Sequence, residues 1–199
     1  MSDRRRELLV GATTWTIEHG LGAVSLRPLA AAIGTSDRML VYYFGSRDGL
    51  ITAIATEAAD LLVAAMPPLD ASQVETTPEG WIHGCWSLFT DPTLRPAMAF
   101  LFELDAAGVR EPGALRDAAA LVSERWIEVI DGSLAVLGVP ARRRRGGVTE
   151  VVASSLIGLV LRSLLDEEPA YPTRAVATVA GLIDREANSG RSATKRRSR

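Results

Sequence analysis

Residues 25–50, SLRPLAAAIGTSDRMLVYYFGSRDGL, constrain the fold more than any other stretch of the chain. Ser25 stands as an N-cap, with Leu26, Leu29 and Ile33 recurring at helical spacing behind it. Ala30 is small where two helices would have to cross closely. Gly34 falls where the chain must turn sharply, a place suited to a residue without a Cβ. Thr35 or Ser36 can cap a second helix, Asp37–Phe44, whose inner face is Leu40 and Phe44. Arg38, Met39, Val41, Tyr42 and Tyr43 are then free to meet something outside the core. A short helix held across another by a glycine turn, with spare side chains on its outer face, has the form of a helix-turn-helix that reads DNA.

The pattern extends in both directions. Leu8-Leu9-x-x-Ala12-x-x-Trp15-x-x-Glu18-x-Gly20 leads after five residues to Leu26-Arg27, then to Gly34-Thr35-Ser36 and to Tyr43-Phe44-Gly45-Ser46-Arg47-Asp48-x-Leu50. In unbroken register over about the first quarter of the chain, this closely resembles the N-terminal domain of TetR-family transcriptional regulators. The resemblance implies an all-α fold, with an N-terminal three-helix helix-turn-helix domain and a C-terminal helical ligand-binding and dimerisation domain. It also implies a homodimer that pairs through its last two helices and reads a pseudo-palindromic operator in double-stranded DNA. Ser154 and Gly158 on one of those helices would allow close approach, and Val176, Val179 and Ile183 on the other form an apolar stripe.

Four positions depart from the family pattern. Pro28 falls in the first turn of the first motif helix, where a missing N–H costs little, and leaves the Arg27 N–H as partner for Ser25. Val41 replaces the usual aromatic residue, with Tyr42 beside it to take over part of that contact. Arg38 puts a long cation where the family often has glycine. Thr16 replaces a large apolar side chain, so more of that packing falls to Trp15.

Composition agrees with a helical chain. Of 199 residues 47% are hydrophobic, and no strand-like alternation persists. One cysteine, Cys85, excludes an internal disulfide and fits a reducing compartment. MSDRRRELL lacks the apolar core of a secretory signal. The longest apolar run, Val151–Leu165, is too short to span a membrane and contains Arg162. A cytoplasmic protein with no membrane partner is expected. The net charge of −2 hides an asymmetry: residues 1–47 carry +2, residues 48–187 carry −9 and residues 188–199 carry +5. A DNA-facing end needs only local cations, so the acidic body does not oppose this reading.

Helices are expected at about 4–19, 26–33 and 37–44, with Gly20 closing the first. A fourth starts after Ser46 as cap, with Asp48 complementing the helix dipole, and runs to about Met66 before Pro67-Pro68. Five more are expected at 79–89, 94–107, 113–137, 142–165 and 173–187, separated by Pro- and Gly-bearing breaks. The domain scheme is therefore 1–46 for DNA binding, 47–187 for effector binding and dimerisation, and 188–199 as a disordered basic tail.

Arg38, Met39 and Tyr42 are the candidates for base edges, with Asp37 and Val41 at the margin. Tyr43, Arg47 and Arg27 are placed for phosphates. Arg4-Arg5-Arg6 precede the motif, either as further DNA contacts or as a solvated helix start, and Arg142–Arg145 read as a solvated surface. Trp81, Cys85, Trp86, Phe89, Phe102 and Trp126 are candidates for the wall of an effector cavity, since pockets between bundle helices share the residue types of cores. They point to an apolar or aromatic small molecule. Glu103, Asp105 and Glu128 either answer a cationic ligand or are solvated acids. Cys85 has no basic neighbour in sequence to lower its pKa, so a buried thiol is expected rather than a redox sensor. His19, His83 and Cys85 have no metal-ligand spacing, and no nucleophile triad, P-loop or dinucleotide glycine pattern appears. Neither catalytic residues, metal nor cofactor are expected. The leading expectation is a repressor released from its operator by a small hydrophobic effector. The alternative is a helical ligand-binding protein or enzyme with a vestigial DNA-binding domain.

Overall fold

The computed structural model describes residues 3–66, 69, 77–165 and 173–197, with side chains for those up to 165 and for 174–189. Every regular element among them is helical: α1 (Asp3–His19), a 3-10 turn (Leu21–Ala23), α2 (Leu26–Ala32), α3 (Asp37–Phe44), α4 (Arg47–Ala65), α5 (Pro78–Phe89), α6 (Arg95–Arg110), α7 (Ala114–Val136), α8 (Ala141–Arg143), α9 (Thr149–Leu165) and α10 (Thr173–Arg197). The all-α expectation holds. The expected loop Pro67–Pro78 and the break Glu168–Pro172 lie largely outside the described residues.

The chain forms two compact units, Met1–Ala64 with Thr93–Arg125, and Ala65–Pro92 with Trp126–Arg199. This division differs from a boundary at residue 46. In the first unit Leu8, Leu9 and Ala12 of α1, Leu29 of α2, Leu40 and Phe44 of α3 and Leu50, Ile51 and Ile54 of α4 share one core with Phe100, Leu104 and Ala118 of α6 and α7. The motif helices alone are too small to close a core, and α6 covers the face of α1 that they leave open. Each large side chain fully buried there contributes on the order of 1.5–3 kcal/mol. Arg116 donates from Nε to the Gly108 carbonyl (2.9 Å) and from Nη2 to that of Val109 (3.2 Å), satisfying the end of α6.

In the second unit α5 starts at Thr77, whose hydroxyl accepts from the Gly80 N–H at 3.0 Å, and lies along α10. Trp81, Ile82, Cys85 and Phe89 are buried on α5, Val176, Val179, Ala180 and Ile183 on α10, and Val152, Ala153, Leu156 and Val160 on α9. The stripe Val176-Val179-Ile183 is therefore core within one chain and unavailable for pairing with a second copy. Periodicity marks an apolar face but does not say what covers it.

Three further expectations change. The helix expected over 142–165 is broken: a π-type turn, Arg144–Val148, separates α8 from α9, and Gly147 inside it takes φ 102°. Arg144 fixes this break. It donates to the carbonyls of Val139 and Asp131 at 3.2 Å each and to the Asp131 carboxylate, which also accepts from Thr149 Oγ1 at 2.8 Å. Arg143 Nε lies 3.2 Å from Glu186 Oε2, so half of the basic run is paired internally instead of forming a solvated surface. The last helix continues past residue 187 to Arg197, so the expected disordered tail is helical as far as described. No proline interrupts it, and Asn188 Nδ2 donates to Asp184 Oδ1 at 3.1 Å one turn back. Ala141–Leu165 is also longer than the apolar run Val151–Leu165, and by length and composition alone it could cross a membrane. In this fold α9 instead buries one side in the second unit.

Candidate nucleic-acid interface and effector region

The geometry of the interface starts at the helix caps. Ser25 has the extended backbone of an N-cap and its carbonyl accepts from the Leu29 N–H at 3.1 Å, but its hydroxyl makes no cap bond. The third helical position, which commonly donates to such a hydroxyl, is Pro28 and has no N–H. Ser36, not Thr35, caps α3, accepting from the Met39 N–H at 3.3 Å. Asp37 accepts from the Arg38 N–H at 2.8 Å and pairs with Arg27 Nε at 3.4 Å, tying the starts of α2 and α3. A carboxylate there also complements the α3 dipole.

The far end of α3 is held by Arg5, which the sequence leaves as a DNA contact or part of a solvated helix start. Arg5 Nε donates to the Tyr43 carbonyl at 3.3 Å, and its guanidinium lies 5.0 Å from the centroid of the Phe44 ring. Ser46 caps α4 as expected, accepting from the Gly49 N–H at 3.0 Å. A Cβ on Gly49 would come within 2.2 Å of the Phe44 carbonyl oxygen, so α4 can start this close to α3 only with glycine there. Arg47 Nε donates to the Val24 carbonyl at 2.9 Å and its Nη1 lies 3.6 Å from Asp48, which leaves only part of the guanidinium for a phosphate.

With Leu40 and Phe44 buried, α3 turns its remaining residues outward. Tyr42 is 76% exposed and Val41 41%. Arg38 is exposed, and Asp37, Met39 and Tyr43 are half-buried. The Tyr42 and Tyr43 rings meet edge to face, 5.0 Å apart. A guanidinium, a thioether, a branched aliphatic group and a phenol on two turns suit hydrogen bonds to guanine, contacts with thymine methyls and contacts with phosphates.

The six effector candidates divide between the two units. Trp81, Cys85, Trp86, Phe89 and Trp126 belong to the second unit and Phe102 to the first. Trp81, Cys85 and Phe89 are buried, whereas Trp86, Phe102 and Trp126 are half-buried. The Phe89 and Trp126 rings pack edge to face at 5.3 Å, and Trp126 Nε1 points to the Ala153 carbonyl at 3.5 Å. Trp81 Nε1 is buried and finds no acceptor among the described residues. Burial pushes the Cys85 thiol up to about 12, which makes it inert at neutral pH. Among the described residues no three His, Cys, Asp or Glu side chains gather as a metal site. Glu103, read from sequence as a ligand partner or a solvated acid, accepts from the Leu21 N–H at 2.6 Å. No local pattern shows this bond, because it joins residues 82 apart.

Residues 8–54 match the model of bacterial regulatory proteins of the tetR family. No curated protein matches the sequence significantly. Among solved structures, a Rhodococcus sp. protein assigned to the TetR-family transcriptional regulators superposes with a TM-score of 0.71 at 22% identity, over 94% of this chain and 100% of that one. The multidrug binding protein EbrR, complexed with proflavin, gives a TM-score of 0.65 at 22% identity, over 91% and 99%. A TetR transcriptional regulator from Legionella pneumophila gives 0.62 at 20% identity, over 93% and 97%. The N-terminal region of the chain is thus similar to the tetR family of bacterial regulatory proteins, and the chain shares the fold of these solved TetR-family structures.

Proposed function

We propose that the chain is a cytoplasmic, non-enzymatic transcriptional repressor that binds a pseudo-palindromic operator as a homodimer and leaves it when a small effector binds. The observation that carries this reading is the outer face of α3. A phenol 76% exposed and a valine 41% exposed lie outside the core, and they sit beside Arg38 on a helix whose ends are pinned by Ser36, Arg5 and Gly49. Rigid presentation of contact groups is what base reading requires.

Pairing with a second copy is supported by α9. Val151, Ser154, Gly158, Leu161 and Leu165 are all exposed and recur at spacings of three and four, the period of a helix–helix seam. Ser154 and Gly158 let two such helices approach closely. The effector reading is supported by the aromatic residues of the second unit and by Phe102, and the proflavin complex of EbrR offers a planar aromatic as its class. The Trp81 N–H favours an effector that also carries a hydrogen-bond acceptor. Release requires the effector to bind the non-DNA state better, with a coupling typically of about 1–3 kcal/mol.

The test is selection of duplexes from a random DNA pool by the full chain, with light scattering of the complex. Enrichment of a two-fold-related sequence with half-sites about one helical turn, or a multiple, apart and bound by two chains is expected. Binding without enrichment, or a monomer on DNA, overturns the reading.

A further inference from the structure

Leu21 opens the 3-10 turn that leads from α1 into the reading motif, and its side chain is buried. Its N–H belongs to the first residue of that turn and has no acceptor within it. The acceptor comes from α6: Glu103 Oε2, at 2.6 Å, a charge-assisted bond. The preceding residue makes room for it. Gly20 has φ 81°, and a Cβ there would stand 3.0 and 3.1 Å from the two Glu103 carboxylate oxygens. Gly20 thus supplies both the left-handed backbone and the space that the carboxylate occupies.

The bond has a continuation. The turn ends at Val24, whose carbonyl holds Arg47 Nε at 2.9 Å, and Arg47 begins α4 just beyond α3. One hydrogen bond therefore ties the start of this turn to α6, and the other ties its end to the start of α4, beside α3, all inside the first unit. We propose that Glu103 is a positioning residue for DNA reading: its carboxylate holds the α1–α2 turn, and with it α3, in the orientation that base contacts need. The inference rests on the DNA-reading function proposed above.

The test compares Glu103→Ala and Glu103→Gln in the full chain, using the duplex that the unaltered chain selects and a random duplex. Glu103→Ala is expected to weaken the selected duplex about fivefold, within the range one hydrogen bond supplies, and to leave the random duplex and the salt slope unchanged. Glu103→Gln, which keeps a carbonyl acceptor, should recover most of the loss. Hydrogen exchange at the Leu21 amide should accelerate in Glu103→Ala and stay slow in Glu103→Gln. Unaltered or tighter binding to the selected duplex overturns the proposal, as does an equal loss on both duplexes with a lowered melting temperature, which marks a merely structural bond. Unchanged Leu21 exchange in Glu103→Ala also overturns it, whatever the DNA result. Failure of the unaltered chain to select any duplex is the separate signature that the DNA-reading function itself is wrong.

Discussion

On α3 a large aromatic side chain, Tyr42, points outward, and on α5 one, Trp81, points inward. Tyr42 is 76% exposed and Trp81 3%. The fold accounts for the burial of the Trp81 ring, in the α5–α10 core, and not for the exposure of Tyr42. A residue that folding does not explain carries more functional information than one that it does. The same contrast holds for cations. Arg5 and Arg144 are bonded to backbone carbonyls and shape the chain, whereas Arg38 makes no side-chain bond among the described residues and is left for a partner.

Substitutions on the two faces should therefore separate stability from binding. The largest effect is expected from Val179→Asp, which buries a charge in the second unit. It should cost several kcal/mol, on the order of 3 or more, and show as a large drop in denaturation midpoint. Tyr42→Ala, by contrast, should change stability by no more than about 0.5 kcal/mol while weakening operator binding. A Val179→Asp chain that keeps its stability but loses its dimer would return that stripe to an interface and break the comparison.

Next in size is Asp131→Ala. It removes the acceptor of Thr149 Oγ1 and leaves the Arg144 guanidinium without its carboxylate, at a cost of about 1–3 kcal/mol by chemical denaturation. An unchanged midpoint would mean that the turn between α8 and α9 does not depend on this cluster.

How far sequence alone reached depends on the range of the interactions. The motif was legible because its determinants are local: Asp37–Phe44 is found with the boundaries expected, Ser46 caps α4, and Leu40 and Phe44 are buried. The alternative between Thr35 and Ser36 needed coordinates, since both types cap. Long-range pairings left no local mark. Arg5 on Tyr43 spans 38 residues and Glu103 on Leu21 spans 82, and a helical period reports neither. The stripe on α10 is visible in sequence as apolar, but its partner, α5, is not, so sequence alone does not tell this core face from an interface. The break before α9 was hidden in a Gly-Gly pair within an otherwise helical pattern.

The smallest effect concerns Cys85. Its folded pKa, about 12, lies above the ordinary thiol value of 9.0, so the unfolded chain loses this proton first as pH rises. Its contribution is complete below about pH 9 and declines above it, by at most about 1.4 kcal/mol per pH unit. Cys85→Ala should remove that part of the alkaline slope, and a thiol reagent should label the native chain only on unfolding. Rapid labelling of the folded chain would contradict the buried assignment.

The central claim is that the outer face of α3 reads bases while neighbouring cations hold phosphates. Fluorescence anisotropy of Arg38→Ala and Arg47→Ala on the selected and random duplexes, over a range of salt, tests it most directly. Arg38→Ala should lose about 1–3 kcal/mol on the selected duplex and relax preference at one position, with little loss on random DNA. Arg47→Ala should weaken both duplexes and reduce the salt slope by about one. Equal losses on both duplexes for Arg38→Ala would show that α3 holds the DNA without reading it.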